Sequence, residues 1–312
     1  MSYLLIGSKY LTMRLTLDAL IVLESIDRKG SFAAAADELH RVRSALTYTV
    51  QTLERDLDIT LFDRSGHRAK LTPIGKVLLQ EGNDLLRSAN DLERRIKRLK
   101  TGWEEEVFIV VNDIISIPKL YPLIEMYYQE CTLTKLHLTA EILSGCWDAL
   151  ASGRADLAIG VSGDAPAGRE FGMAKLGHIE FVFAVSPHHP LVTIHEPLKN
   201  ADIIKYRAII AGDTSRKLPV RSVGVFSGQE NLIVSSIHAK IQAQVSGLGV
   251  GYLPLHLIQD EIRTKKLIIK QVEKVKSSAN ISIAWRINQA GKAVEWFIDK
   301  LKDPAIYKPM IS

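Results

Sequence analysis

Cysteine is nearly absent. The 312 residues contain two, Cys131 and Cys146, with no CxxC pair and no Cys/His quartet, which excludes a disulfide framework and a structural zinc site of the usual spacing. No apolar run approaches the roughly 18–20 residues that span a bilayer. The opening stretch, Met1 to Ser8, lacks both a basic region and an apolar core of the kind that marks a secretory leader, so the expected setting is a reducing cytoplasm. Signatures of catalysis are also missing: there is no GxSxG, P-loop, HExxH or convincing carboxylate pair. His178, His188, His189 and His195 follow no metal-ligand spacing, and Gly247 to Gly251 is not GxGxxG, so no metal and no cofactor are expected. Charge of one sign is not in great excess either, with 40 Lys+Arg against 35 Asp+Glu. That balance permits a polyanionic partner without requiring one. What is present is a chain 46% hydrophobic and 24% charged, which excludes a disordered or fibrous protein and, at about 100–200 residues per domain, implies two or three domains.

Residues 16–57 read as three short helices. Thr16 can cap the first, whose apolar stripe is Leu17, Leu20, Leu23 (or Ile21) and Ile26, and Gly30 suits its end. Ser31 can cap an alanine-rich second helix, Phe32 to His40. A third begins near Ser44, with Leu46, Val50, Leu53 and Leu57 on one face and Ser44, Tyr48, Gln51 and Arg55 on the other, flanked by Thr47. Only Arg41, Val42 and Arg43 separate the last two helices, the pattern of a helix-turn-helix. On periodicity alone, a helical hairpin used only for packing fits as well. The stretch from Leu61 to Thr72 favours the DNA-binding reading, since its Ser65-Gly66 turn between basic residues reads as a β wing with Arg64, Arg68 and Lys70 free to reach phosphate or the minor groove.

Thr72-Pro73 opens a long helix running to about Lys100. Leu78, Leu85, Leu92 and Leu99 recur every seven residues along it, with Gly82, Ala89 and Ile96 four residues after the first three. This narrow seam predicts a dimerising helix whose small residues admit a partner. From Trp103 onward strands and helices alternate, as in an α/β sheet. Expected strands are Val107–Val111, Leu136–Leu143, Asp156–Gly160, Phe181–Val185, Ala208–Ile210, Leu232–Ser235, Gly249–Leu253 and Ile281–Trp285. Expected helices are Pro118–Gln129, Cys146–Ser152, Ile237–Val245 and Val294–Leu301. Ligands of such folds bind beyond strand C-terminal ends, in a crevice.

Gly30-Ser31-Phe32 with Ala33 to Ala36, the string from Ser44 to Thr47 leading to Leu53-Glu54, Leu61 to Arg64 and Leu71 to Gly75 resemble the LysR-type transcriptional regulators in order and spacing. Gly153 to Ile159 and Gly247 to Pro254 resemble the same family's effector domain. The resemblance implies an α/β protein with an α-rich N-terminal winged helix-turn-helix (13–72), a linker or dimerisation helix (73–102) and a two-lobed, Rossmann-like effector domain similar to type 2 periplasmic binding proteins. Its lobe I would comprise 103–163 with 278–312, and its lobe II 164–277. Met13 would be a natural start. Implied partners are double-stranded promoter DNA, a small-molecule effector, one or three further copies of the chain, and RNA polymerase in the case of an activator, with no membrane. DNA contacts are expected from Ser31, Arg43, Ser44, Thr47, Tyr48, Gln51, Arg55, Arg64, Arg68 and Lys70. Relatives carry Gln where Arg43 stands, and a guanidinium favours the guanine edge whereas glutamine suits adenine.

As bare sequence Ser116 and Ser236 are helix caps. The resemblance places them at the effector cleft, with Leu143, Ser144, Asp213, Thr214 and Ser235 as neighbours. Many relatives carry Ser or Thr where Leu143 stands, and Ile115 and Trp147 leave room for an apolar ring, which points to a small aromatic acid or hydroxylated aromatic. Two other classes share the two-lobed fold: a transporter's solute-binding protein, which would need a leader and no residues 14–72, and an enzyme.

Overall fold

The structure, a computed structural model, describes residues 14–63, 69–131, 134–167, 170–273 and 278–311. The chain divides into two compact units between Glu93 and Arg94. In the first, Thr16 Oγ1 accepts the N–H of Ala19 at 3.1 Å and starts helix α1, Leu17–Lys29. Gly30 ends it at φ 72, a left-handed conformation that side chains with a Cβ resist. Ser31 caps α2, Phe32–Glu38, through the N–H of Ala34. That helix stops short of His40, which itself turns to φ 52. Next comes α3, Arg43–Leu57. The three helices bury Ala19, Val22, Leu23, Ile26, Ala35, Ala36, Leu46, Val50 and Leu53 in one core. Leu17 and Ile21, expected in the stripe of α1, are exposed, and Ala19 and Val22 take their place.

Strand β1, Phe62–Asp63, pairs antiparallel with β2, Lys70–Leu71. Their connection carries Ser65, Gly66, Arg64 and Arg68 and lies outside the described residues. Glu54 of α3 fixes the base of this ribbon, its Oε1 accepting the N–H of Leu61 at 2.7 Å and of Phe62 at 3.3 Å. Helix α4, Pro73–Thr101, follows, with Thr72 Oγ1 accepting the N–H of Gly75. Two residues of its seam serve the chain's own core. Leu78 packs against the three-helix cluster, and Gly82, expected to admit a partner helix, instead admits Leu20 of α1: a Cβ there would collide with Leu20 Cδ2.

The second unit contains β3 (Glu106–Asn112), α5 (Tyr121–Glu130), β4 (Lys135–Glu141), α6 (Gly145–Ala151), β5 (Leu157–Val161), β6 (Phe171–Val185), α7 (Asn200–Ile203), β7 (Ala208–Ala211), β8 (Asn231–Val234), α8 (Ile237–Val245), β9 (Gly251–Pro254), α9 (Gln259–Arg263), β10 (Ile268–Lys270), β11 (Ser278–Arg286), α10 (Lys292–Leu301) and α11 (Pro304–Ile311). Strand β3 lies parallel between β4 and β5, and β11 joins β5 to β6 antiparallel. The first part of β6 pairs with β11, whereas Phe181–Val185 pair with β9 and β10. One unbroken strand therefore serves two sheet regions. One face of the first region buries Val107, Ile109, Leu123, Tyr127, Phe297 and Leu301, and the other buries Cys146, Trp147 and Leu150. The second region packs on Leu191, Leu198 and Ile203 on one side and Ile237, Ile241 and Ile258 on the other. Among the described residues no helix is long and apolar enough to cross a membrane.

Arg154 ties these parts together. Its guanidinium donates to Glu141 Oε1 at 2.6 Å and to Asp148 Oδ2 at 2.8 Å, and Asp148 Oδ1 accepts the N–H of Lys217 and Leu218. Both carboxylates are buried. Burial pushes the Asp148 carboxyl up, but Arg154 and the backbone donors outweigh it and hold the group below the usual carboxylate range. Removing one partner of such a cluster leaves charge uncompensated, so Arg154→Met is expected to lower the unfolding free energy by about 3–5 kcal/mol at pH 7. Because the folded-state Asp148 value is depressed, this contribution is present above the ordinary carboxylate range and is lost as pH falls through the folded value. Urea unfolding of both proteins at pH 7 and pH 4 measures this; a loss below about 0.5 kcal/mol at pH 7 would rule out the structural role given to Arg154.

Candidate functional site

The face of α3 opposite Leu46, Val50 and Leu53 presents Arg43, Ser44, Tyr48, Gln51 and Arg55, all exposed. Tyr48 is 68% exposed, far more than a packing role for an aromatic ring would require. Thr47 is half-buried and spends its hydroxyl on the carbonyl of Arg43 at 3.0 Å. Val42 provides no side-chain cap to α3, which leaves first-turn N–H groups without a side-chain acceptor. Ser31 is a cap, its Oγ accepting from Ala34. Lys70 is exposed on β2. Arg41 and Arg28, basic residues of the same unit, are neutralised by Asp18 and by Glu24 and Glu38. Arg28 is the first cause holding Glu38 down at about 2. Arg55 lies 3.4 Å from Asp56, whereas Arg43 on α3 and Lys70 on the ribbon make no ion pair among the described residues.

In the second unit a cavity of about 870 Å³ lies at the C-terminal ends of the parallel strands. Asn112 ends β3 and Asp113 follows it, Ile142 and Leu143 follow β4, and Val161 ends β5 with Ser162 after it. The facing wall is Ile210 and Ala211 of β7, Ile237 and Lys240 of α8, Tyr252 of β9, and Val225 and Phe226. Phe181 of β6 and Ser278, Ala279, Asn280 and Ser282 of β11 close it where these strands pass between the sheet regions. The wall is mostly apolar with a few polar groups, as ligand sites generally are.

Of the seven residues expected at an effector site, Leu143 lines this cavity, held at φ 50. The other six sit near wall residues in the sequence; Thr214, Asp213 and Ser236 hold backbone N–H groups, whereas Ser116, two positions beyond Ile114, makes no side-chain cap bond and the buried Ser144 hydroxyl has no hydrogen-bond partner among the described residues. Thr214 Oγ1 accepts the N–H of Ile142 at 2.8 Å, and a Cβ on Gly145 would collide with that hydroxyl. The Asp213 carboxylate accepts the N–H of Ser215 and of Arg221. Ser144 is buried beside Leu143, and Ser235 precedes the α8 cap. Ser236 caps α8 through the N–H of Ala239 at 3.0 Å. The α8 N-terminus already has an anion at it: the Asp113 carboxylate accepts the N–H of Ile237. A helix end favours any anion, and here the chain supplies its own.

The sequence reading missed Asp113 and Lys240. The signal for Lys240 was its position on the buried face of α8, three residues after Ile237 and four before Gln244. Lys240 is 6% exposed, and burial lowers its ammonium to about 8. Burial also raises Tyr252 and lowers His256, whose Nε2 lies 3.0 Å from the carbonyl of Ile114. Both cysteine thiols are pushed up by burial, the opposite of the shift that activates a thiolate. Among the described residues no group of three His, Cys, Asp or Glu is arranged to hold a metal ion.

Residues 17–76 match the bacterial regulatory helix-turn-helix proteins of the lysR family, and residues 100–305 match the LysR substrate binding domain. The chain is 42% identical over 289 residues to a relative in Escherichia coli K12 described as an uncharacterized HTH-type transcriptional regulator, YeeY, covering 93% of this chain and 94% of the relative. It is 40% identical over 287 residues to the HTH-type transcriptional regulator YhaJ of Escherichia coli O157:H7, covering 92% and 96%. A crystal structure of full-length CbnR complexed with its target DNA superimposes with a TM-score of 0.58 at 17% identity, covering 91% of this chain and 98% of that one. From its helix-turn-helix to its effector domain, the chain belongs to the LysR-type DNA-binding transcriptional regulators.

Proposed function

We propose that the protein reads promoter DNA with α3 and alters its hold on that DNA when a small molecule occupies the cavity of the second unit. The observation that carries this reading is the pairing of an exposed, cation-bearing helix face in one unit with a largely apolar cavity in the other. Arg43, Ser44, Thr47, Tyr48 and Gln51 face the major groove, while Ser31, Arg55 and Lys70, with Arg64 and Arg68 outside the described residues, hold the backbone or minor groove. In the cavity Leu143 touches the ligand, and Ser116, Ser144, Asp213, Thr214, Ser235 and Ser236 position the wall. Full-length LysG of Corynebacterium glutamicum, 20% identical with a TM-score of 0.50, has been solved with its effector Arg bound. It gives precedent for effector binding in a full-length protein of this fold and says nothing of the effector here.

The protein acts as a dimer or a tetramer through α4. Leu85, Leu92, Ile96 and Leu99 are 50–77% exposed, a row of apolar side chains that a second copy would cover. Leu78 is engaged with its own three-helix core and lies outside this seam.

Two outcomes test the reading. Arg43→Ala is expected to cost about 1–3 kcal/mol on the cognate operator and to relax one base position, whereas Lys70→Ala weakens all sequences alike and lowers the salt slope by about 0.9. Gel-shift titrations on operator and scrambled DNA decide it: an unchanged specific-to-random ratio for Arg43→Ala removes α3 from base readout. Leu92→Asp places unpaired charges in the seam, and sedimentation should show smaller species than the wild type, with weaker binding to a two-half-site operator. An undiminished oligomer would exclude the seam.

A further inference from the structure

Lys240 is the one cationic side chain among the described residues lining the cavity. It is almost wholly buried, and among the described residues it makes neither an ion pair nor a hydrogen bond. Two carboxylates share the wall, but neither answers it: Asp113 is engaged with the α8 N-terminus and Asp164 is exposed. A buried charge without a partner is costly, and few folds keep one without use for it. Lysine in this position cannot be replaced in its role by the helix end, because Asp113 already occupies that end.

We propose that Lys240 anchors an organic acid, whose carboxylate meets the ammonium while its apolar body lies along Phe181, Ile210, Phe226 and Tyr252. One buried cation calls for one anionic group at that depth. The apolar side chains select the remainder of the molecule by area and shape. This inference rests on the cavity being the sensing site and names the ligand class that site takes.

Binding should depend on pH. The free ammonium titrates near 8, so its attraction for an anion is full below that value and is lost as pH rises through it. The other titratable groups of the wall are Asp113, Asp164 and Tyr252. Of the strands packed against α8, β7 and β8 carry no titratable side chain, β9 carries Tyr252, and β6 carries Lys175, His178 and Glu180, all exposed. On α8 itself the other such group is His238, also exposed.

The test uses two fluorescent probes with the same apolar body on the full-length protein. One is 1-anilinonaphthalene-8-sulfonate, an anion, and the other is N-phenyl-1-naphthylamine, which is neutral. Lys240→Met should weaken the anionic probe by about tenfold or more at pH 7 and leave the neutral probe within about twofold. In the wild type the anionic probe should weaken by about tenfold between pH 7 and pH 9.5, a dependence absent from Lys240→Met and from the neutral probe. Val225→Trp, which fills the cavity, should expel both. If Lys240→Met keeps both the affinity and the pH dependence of the anion while Val225→Trp expels it, the anchor is wrong and the cavity stands. If Val225→Trp expels neither probe, the cavity reading and the anchor fall together.

Discussion

The guanidinium of Arg154 is the constraint on which the second unit depends. Glu141 closes β4 and Asp148 sits on α6, and at pH 7 two buried carboxylates this close repel each other and lack solvent. Arg154 removes both problems with charge-assisted bonds of 2.6 and 2.8 Å. Asp148 can then spend its second oxygen on the backbone of Lys217 and Leu218, which belong to a distant stretch of chain. Part of the cavity wall adjoins these anchors. Ile142 and Leu143 follow Glu141 directly, and Thr214, whose hydroxyl fixes Ile142, lies three residues before Lys217. Arg154, within the Gly153 to Ile159 segment that resembles the family's effector domain, is the clamp that sets this geometry.

Locally determined features were legible in the sequence, and features that depend on remote partners were not. Thr16, Ser31, Gly30 and Ser236 act within four residues of themselves, so the bounds of α1 and α8 follow from caps and periodicity. Strand β6 was legible only from Phe181. Its first ten residues carry Gly172, Gly177, Lys175, His178 and Glu180, an unpromising composition until β11 pairs with it. Helix α11, with Pro309 inside it, and the three-residue β10 likewise take their form from what they pack on. At the candidate site the same division holds. The polar face of α3 is a matter of 100° per residue, whereas the meeting of Asp113 with α8 joins positions 124 residues apart.

The seam of α4 shows how one pattern can serve two purposes. A leucine every seven residues implies a narrow apolar line, but sequence cannot say which end of the line the rest of the chain will cover. Leu78 and Gly82 are consumed by the three-helix core, and from Leu85 onward the row is open. A change at Leu78 would therefore act on the stability of the helix-turn-helix unit, and a change at Leu92 on the proposed assembly.

Coupling between ligand and DNA requires that the ligand bind one arrangement of the cavity better than another. The structure places a discontinuity where such a difference would be felt. The β6–β11 register shifts between Ile281 and Ser282, opposite Gly177 and Lys175, and irregularities of this kind let a strand bend. Phe181 and Ser282, close to that shift, line the cavity. The anchor proposed for Lys240 would supply such a difference, because an ammonium buried without a partner is costly and an arriving carboxylate removes that cost. A neutral ligand of the same shape would fill the cavity and leave the charge unanswered, so on that proposal occupancy alone would not suffice for response. A requirement for charge would then make the cavity selective among molecules that its apolar wall cannot tell apart.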